Sequence, residues 1–327
     1  MTSQAIVGSK VRPDISVVVV NYNTKHLLER MLLSLRAGSG QYLIQVIIVD
    51  NASSDGSVEL LRERYPDVQL IESPRNVGFG RANNLALNHI RGRYVLLLNT
   101  DAFVSADTLA KSVDYMEENP RCGLLGVRLV GETGNLQPSC RYFPTPWNMF
   151  LARTGAARFF PNTRLVDDMS WDHNSVRECD WVPGCYYFMR RDVVDRVGLF
   201  DPRYFLYFEE VDHCRSVKNA GWTVCFYPFT EVIHIGGESA KALGPLTTAG
   251  RQIFAIEAES ELLYFRKHYG RIGLLAGVLF TTFADAAFSF KALVLQRDKG
   301  RFFGLVQQIK IRMTILFQTK LASRPTR

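Results

Sequence analysis

Several class-defining signatures are missing from the sequence. None of the six cysteines (Cys122, Cys140, Cys179, Cys185, Cys214 and Cys225) forms a C-x-x-C pair or a zinc-like pairing with histidine, which argues against a metal ribbon or a dithiol motif. The first 14 residues contain no apolar core of a signal peptide, so no secretory leader is expected and the thiols are expected to be reduced. There is no repeat at solenoid or propeller periods, no low-complexity tract and no coiled-coil bias. The uncharged run 272–284 has 13 residues, short of the roughly 20 that a membrane span needs.

What is present suits a globular α/β protein with an appendage. Of the 327 residues, 47% are hydrophobic and 22% charged, which excludes wholesale disorder. The net charge of +7 is unevenly placed: residues 266–327 hold 12 Lys/Arg and 2 Asp/Glu, against 27 and 30 in residues 1–265. A mildly acidic body argues against a nucleic-acid-binding surface. A basic terminal segment fits contact with an anionic membrane.

The first hundred residues alternate strand and helix. Ile15–Val20 is β-branched at every position but Ser16, Val46–Val49 and Tyr94–Leu98 are further apolar runs, and Val68–Ile71 is a short fourth piece carrying Gln69. Such runs predict strands buried on both faces. Between them, residues 26–36, 57–64 and 81–90 carry helical spacing. Alternation of this kind predicts a parallel sheet with right-handed crossovers, so the strand C-terminal ends share one edge, where ligands bind. Asn23, Asp50, Asn76 and Asp101 all fall at that edge.

The stretch 124–208 is irregular and aromatic-rich, as expected of a second substrate wall. A short helix over 209–220 stopped by Gly221, a strand over 223–227 and an extended piece over 232–234 follow. In the tail, Ile272, Leu275, Leu279, Phe283 and Phe290 form one apolar stripe, and Phe302, Leu305, Ile309, Met313 and Leu316 a second beside Lys310 and Arg312. Basic amphipathic helices lie on membranes rather than cross them; a core-packing or dimer role is the plainer reading.

Four motifs carry chemistry. In Val49-Asp50-Asn51-Ala52-Ser53-Ser54-Asp55-Gly56, Asp55 reads as a cap, whereas Asp50 directly follows a strand and can accept from a nucleobase or ribose. In Asn76-Val77-Gly78-Phe79-Gly80-Arg81-Ala82-Asn83 the glycines admit close backbone approach, but Asn83 breaks the dinucleotide fingerprint. In Leu98-Asn99-Thr100-Asp101 the Asp either caps the next helix or holds a divalent cation that shares substrate phosphates. In Glu209-Glu210-Val211-Asp212, followed downstream by His234-Ile235-Gly236-Gly237-Glu238-Ser239, three carboxylates at a helix start satisfy its dipole. A desolvated one among them becomes a base.

With those residues in view, the sequence resembles the family 2 glycosyltransferases of GT-A fold, most closely the rhamnosyltransferase-like bacterial members that build cell-surface polysaccharide. The resemblance runs over residues 14–240 through VNYN, VDNASSDGS, NVGFGRANN, LNTDA, WVPG, YFLYFEEVDHCR and VIHIGGES. It implies inverting, metal-dependent transfer from a nucleotide-diphosphate sugar (a dTDP- or UDP-sugar, with rhamnose favoured) to a polysaccharide or lipid-linked glycan. By that resemblance Tyr22, Asn23 and Asp50 hold the nucleoside, and Asn76, Gly78 and Arg81 line the donor loop. Asn99 and Asp101 stand at the D-x-D-like motif, with Asp101 and His234 on Mg²⁺ or Mn²⁺. Glu210 is the base, with Glu209 and Asp212 as alternatives. Trp181, Pro183 and Gly184 form the acceptor loop. Two positions depart from the family: Asn99 where it has Asp, and Glu210 where Asp is usual.

The expected architecture is a GT-A (Rossmann-like) catalytic domain over 1–265, with a nucleotide-sugar half over about 14–105 and an acceptor half over about 106–265. A basic amphipathic helical tail over 266–327 follows. The expected location is cytoplasmic, peripheral on the inner face of the cell membrane. A non-catalytic nucleotide-sugar-binding or scaffold protein is the alternative from another class. A nucleotidyltransferase ranks lower, because the N-terminal Gly-rich basic phosphate loop it needs is missing.

Overall fold

In the computed structural model, the described residues are 12–236, 246–294 and 297–327. The chain divides into two compact units. The first holds the described residues up to Arg141, then Met169–Pro202 and 209–236; the second holds Tyr142–Asp168, Arg203–Phe208 and the described residues from 246 onward. The motif residues Gly237, Glu238 and Ser239 lie outside the described residues.

The first unit is an α/β domain. β1 (Ile15–Asn21), α1 (Lys25–Gly38), β2 (Ile44–Asp50), α2 (Ser57–Arg64), β3 (Gln69–Glu72), α3 (Phe79–Leu85) and β4 (Tyr94–Asn99) follow the expected alternation. The helix expected over 81–90 ends early and gives way to a 3-10 turn at Leu87–His89. Then come β5 (Ala102–Val104), α4 (Thr108–Glu118), β6 (Cys122–Val130) and β7 (Leu136–Gln137), with β8 (Arg177–Cys179), β9 (Tyr186–Arg190), α6 (Arg191–Val197), α7 (Glu209–Asn219) and β10 (Thr223–His234) after the excursion into the second unit. The helix numbered α5 belongs to that excursion.

The strands form one sheet in the order β3-β2-β1-β4-β9-β6-β10-β5, with β7 beside β6 and β8 beside β10. β3, β2, β1 and β4 run parallel. Their register sets Asn21 opposite Asp50 and Val20 opposite Asn99, so three polar strand ends share one edge. Val17, Val18, Val19, Ile47, Ile48, Leu96 and Leu97 are buried, as continuous apolar strands covered on both faces require.

Two expected extended pieces, 223–227 and 232–234, are one strand. β10 pairs in parallel with β6 and skips register between Tyr227 and Glu231. Pro228 lies in that bulge, where a missing N–H costs no ladder bond. Beyond it the strand runs antiparallel to β5, with His234 opposite Ala102 and the Ile235 N–H donating to the Asp101 carbonyl (3.0 Å). The bulged strand thereby carries His234 to Asp101.

The second unit is helical: α5 (Pro146–Thr154), α8 (Leu246–Val294) and α9 (Lys299–Gln318). α5 opens on a capping box, in which Thr145 and Asn148 each accept from the other's backbone N–H, with Pro146 at its first position; this is a helix start built into the sequence. α8 breaks at Gly270, whose φ of 68° is left-handed. Over residues 251–294 it is long and apolar enough, by length and composition, to cross a membrane. Its Asp285 is fully buried and accepts from Arg153 Nε of α5 (2.8 Å).

Arg312 of α9 donates to Glu261 of α8 (2.7 Å), both side chains being under 10% exposed. Arg312→Ala leaves Glu261 buried without its cation, beside Glu257, whose carboxyl is already pushed up by burial and by Glu261. The expected cost is about 3–5 kcal/mol. It is read as a fall in the urea midpoint with the slope unchanged.

Candidate active site

One part of the site is built from the polar ends of β1 and β2. Asp50 is 2% exposed; it accepts from Asn21 Nδ2 (2.8 Å) and from the Ser53 N–H (2.9 Å). Asn23, with φ of 52°, accepts from the Ser54 N–H (2.7 Å) and donates its own N–H to Ser53 Oγ (3.0 Å). Tyr22 is half-buried beside it. Asp55 accepts from the N–H groups of Lys25 (2.8 Å) and Ser57 (3.1 Å), so it ties the starts of α1 and α2 together, in keeping with its reading as a cap. A cavity of about 520 Å³ opens here, lined by Asp50, Ser53, Ser54, Glu72 and Ser73 among others.

The glycine loop is held by asparagines. Asn76 accepts from Asn51 Nδ2 (3.0 Å) and the Gly78 N–H (2.9 Å), and Asn51 accepts from the Val77 N–H (2.9 Å). Gly78 has φ of 88° and ψ of 170°, a conformation that a side chain disfavours. Arg81 donates Nε to the Pro202 carbonyl (2.6 Å), which gives it a packing role alongside any ligand role.

At the strand edge, Asp101 is 4% exposed and His234 Nε2 lies 3.6 Å from its Oδ1. Gln137 orients the imidazole. Its Nε2 donates to the His234 carbonyl (2.8 Å), which turns its Oε1 toward His234 Nδ1 (2.9 Å). Nδ1 therefore carries the proton, and Nε2 presents a lone pair to Asp101. Burial lowers the His234 pKa, against the opposing pull of Asp101, so the neutral ring is favoured. Two acceptors face each other here, and Asn99 Oδ1, two residues upstream, is a buried acceptor with no hydrogen-bond partner. This donor set suits a hard divalent cation that takes its remaining ligands from phosphates and water. Among the described residues no group of three or more His, Cys, Asp or Glu gathers as a metal cage.

The third cluster surrounds Glu210 on the first turn of α7. A Cβ on Gly184 would sit 3.9 Å from Glu210 Cβ and 3.6 Å from the Phe79 ring, so Gly184 packs against the base of the Glu210 side chain. Trp181 is buried, and its ring is covered by the Arg141 guanidinium at 4.0 Å. Pro183 is half-buried. Burial pushes the Glu210 carboxyl up; the N–H groups of Glu210 and Val211 and the Arg141 charge oppose the rise. Its Oε2 is buried without a hydrogen-bond partner. Glu209 and Asp212 are also buried, and Glu209 packs on the Gly80 side. His213 is bound by Tyr187 (2.9 Å) and the Gly198 carbonyl (3.0 Å), a structural role. Tyr207 and Phe208, just before α7, hold left-handed φ of 69° and 66°.

Asn21, Gln137 and Arg141 are orienting residues: Asn21 stands in VNYN without a role of its own, and no sequence motif marks the other two. Each acts on a site residue distant in sequence, and the only sequence signal is their place at a strand end or just after β7.

The profile described as Glycosyl transferase family 2 matches residues 16–176. An N-acetylglucosaminyl-diphospho-decaprenol L-rhamnosyltransferase of Mycobacterium tuberculosis is 30% identical over 235 residues, covering 67% of this chain and 75% of that protein. The chain belongs to glycosyl transferase family 2. Rhamnosyltransferase WbbL of Escherichia coli is 24% identical, covering 67% of this chain and 82% of the relative. Among solved structures, a mannosyltransferase of Pyrobaculum calidifontis in complex with GDP-Man and Mn²⁺ superposes with a TM-score of 0.54 at 18% identity, covering 96% of this chain and 89% of that one. That likeness bears on the fold of this family 2 glycosyltransferase.

Proposed function

We propose that this glycosyltransferase moves a sugar, with rhamnose the leading candidate, from a dTDP- or UDP-sugar to a hydroxyl of a lipid-linked glycan, with inversion at the anomeric carbon. The observation that carries the reading is the meeting of Asp101 and His234 Nε2 at 3.6 Å, on the same sheet edge as Asp50. The rhamnosyltransferase relatives support the choice of sugar. The acceptor is inferred from the Mycobacterium tuberculosis relative, whose name specifies a diphospho-decaprenol.

In this reading Asp50, Asn23 and Tyr22 bind the nucleoside, and Asn76, Gly78 and Arg81 shape the loop over the donor. Asp101 and His234 would hold Mg²⁺ or Mn²⁺, with Asn99 beside them. When bound, the cation offsets the charge that grows on the departing nucleoside diphosphate. Glu210 takes the proton of the acceptor hydroxyl as that oxygen bonds to the anomeric carbon from the face opposite the diphosphate. The bond from carbon to phosphate oxygen breaks, and the electron pair leaves with the diphosphate. Trp181, Pro183 and Gly184 set the acceptor against Glu210, and holding both substrates together removes much of the entropic barrier. The proposed division of labour is a catalytic body over 1–265 and a basic tail over 266–327 that lies on the inner face of the cell membrane.

The test is incubation of the purified chain with dTDP-rhamnose or UDP-sugars, Mn²⁺ and a synthetic N-acetylglucosaminyl-diphospho-lipid, with products read by mass spectrometry. A product heavier by one sugar residue supports the transfer, and one heavier by a deoxyhexose supports rhamnose as the sugar. Intact nucleotide binding with neither transfer nor donor hydrolysis favours the scaffold alternative.

Arg141 gives a pH test of the base. Replacing it by Gln removes the charge that holds the Glu210 pKa down. Glu210 must be ionised to act, so the acid limb of kcat/KM is expected to move to higher pH, and Arg141→Lys to restore part of the shift. An unmoved limb in Arg141→Gln separates Arg141 from Glu210.

A further inference from the structure

The second unit carries an apolar face that the tail alone does not account for. Residues 142–164 hold three arginines (Arg153, Arg158 and Arg164) and no acidic residue. Within them, α5 and the 3-10 turn Ala156–Phe159 expose Trp147 (40%), Phe159 (67%) and Phe160 (43%). The Trp147 ring meets Phe160 edge-on at 5.2 Å and Phe280 of α8 at 6.0 Å, and Phe150 meets Phe280 at 5.2 Å and Phe283 at 6.4 Å. On α8 the stripe continues through Ile272 (85% exposed), Leu279 (66%) and Phe283 (68%). The internal segment and the tail helix therefore form one aromatic and aliphatic surface. They are clamped together by the pair of half-exposed Arg153 with buried Asp285 and by the Tyr269 hydroxyl, which donates to the Pro144 carbonyl (3.0 Å).

We propose that this composite face, with Trp147, Phe159 and Phe160 as its anchors, docks the enzyme on an anionic lipid bilayer. Contiguous exposed apolar surface on this scale marks a binding face, and Trp and Phe above basic residues suit the depth of lipid headgroups. Arg158 lies over Phe159 at 4.7 Å, and Arg271 and Lys291 are exposed on α8, so the face is rimmed with positive charge. That charge decides the occupant: a two-fold pairing of the face with itself would bring like charges together, whereas anionic headgroups complement it. A lone α8 span is disfavoured because Asp285 and Arg153 tie the helix to α5. The inference deepens the membrane part of the proposed function and is independent of its chemistry.

The full chain is mixed with preformed vesicles of phosphatidylcholine, alone or with one quarter phosphatidylglycerol, and sedimented. Binding is expected to the anionic vesicles, at least tenfold weaker to the neutral ones, and to fall with added salt. A Trp147→Ser/Phe159→Ser/Phe160→Ser variant is expected to lose at least tenfold in vesicle affinity. Because such a variant can misfold, the wild-type protein is also titrated with vesicles of brominated lipid; Trp147 emission, taken as the difference from Trp147→Phe, is expected to be quenched. Equal binding by the triple variant with no quenching overturns the proposal, as does absence of binding. So does micromolar dimerisation that the triple variant abolishes, which would make the face a contact between copies. None of these readouts involves the sugar donor, so failure here leaves the transfer reading standing, and failure of transfer leaves this one.

Discussion

Glu210→Gln is expected to lower sugar transfer by about 10²–10⁴-fold, the usual contribution of a positioned general base, while donor affinity stays within a factor of two. The substitution keeps the shape of the side chain and removes only its capacity to take a proton. Glu210 is singled out from its neighbours by packing. It lies against Gly184, and its pKa is raised by burial. Glu209 packs toward Gly80 instead. Steady-state rates of Glu210→Gln, Glu209→Gln and Asp212→Asn, with donor affinity by calorimetry, check this. Turnover of Glu210→Gln near that of the parent would move the base elsewhere.

Asp101→Asn is expected to have a comparably large effect through a different variable. The carboxylate is the one formal negative charge in the Asn99, Asp101 and His234 set. Its loss removes most of the attraction for a divalent cation while keeping a similar shape. Several kcal/mol of stabilisation of the leaving diphosphate disappear with it, hence a fall of two to three orders of magnitude in kcat/KM. The Mn²⁺ concentration needed for half-maximal rate should rise as well. A metal titration of the parent and the variant checks both. A variant that falls in rate with an unchanged metal requirement would remove Asp101 from the metal site.

The β1–β4 part of the fold is legible because its signals are local. The four consecutive valines 17–20 mark a strand covered on both faces, and the helix expected over 57–64 is α2 itself. The register that aligns Asn21 with Asp50 follows from parallel pairing of such strands. What escapes is long-range. No periodicity tells that Pro228 sits in a bulge of one strand rather than a gap between two. Nothing local tells that Gln137 turns the His234 ring, or that Arg141 caps Trp181. Likewise, 142–168 reads only as an irregular insertion, because its partners on α8 lie more than a hundred residues away. Asp50 and Asn99 stand at strand ends and Glu210 at a helix start, whereas Trp181, Pro183 and Gly184 are marked only by the family resemblance. The residues that orient them carry no such mark.

The central claim is that the sheet edge binds a nucleotide-diphosphate sugar with a divalent cation. The most direct measurement is the unfolding temperature of the full chain against a panel of nucleotides and nucleotide sugars, with Mg²⁺, Mn²⁺ or chelator, for the parent and for Asp101→Asn. A ligand at 100 times its Kd adds about 2.7 kcal/mol, and each kcal/mol raises Tm by roughly 2–4 °C. The account predicts a rise of several degrees with a dTDP- or UDP-sugar, lost on chelation and reduced in Asp101→Asn. No rise with any nucleotide, or a rise indifferent to chelator and to Asp101, would contradict it.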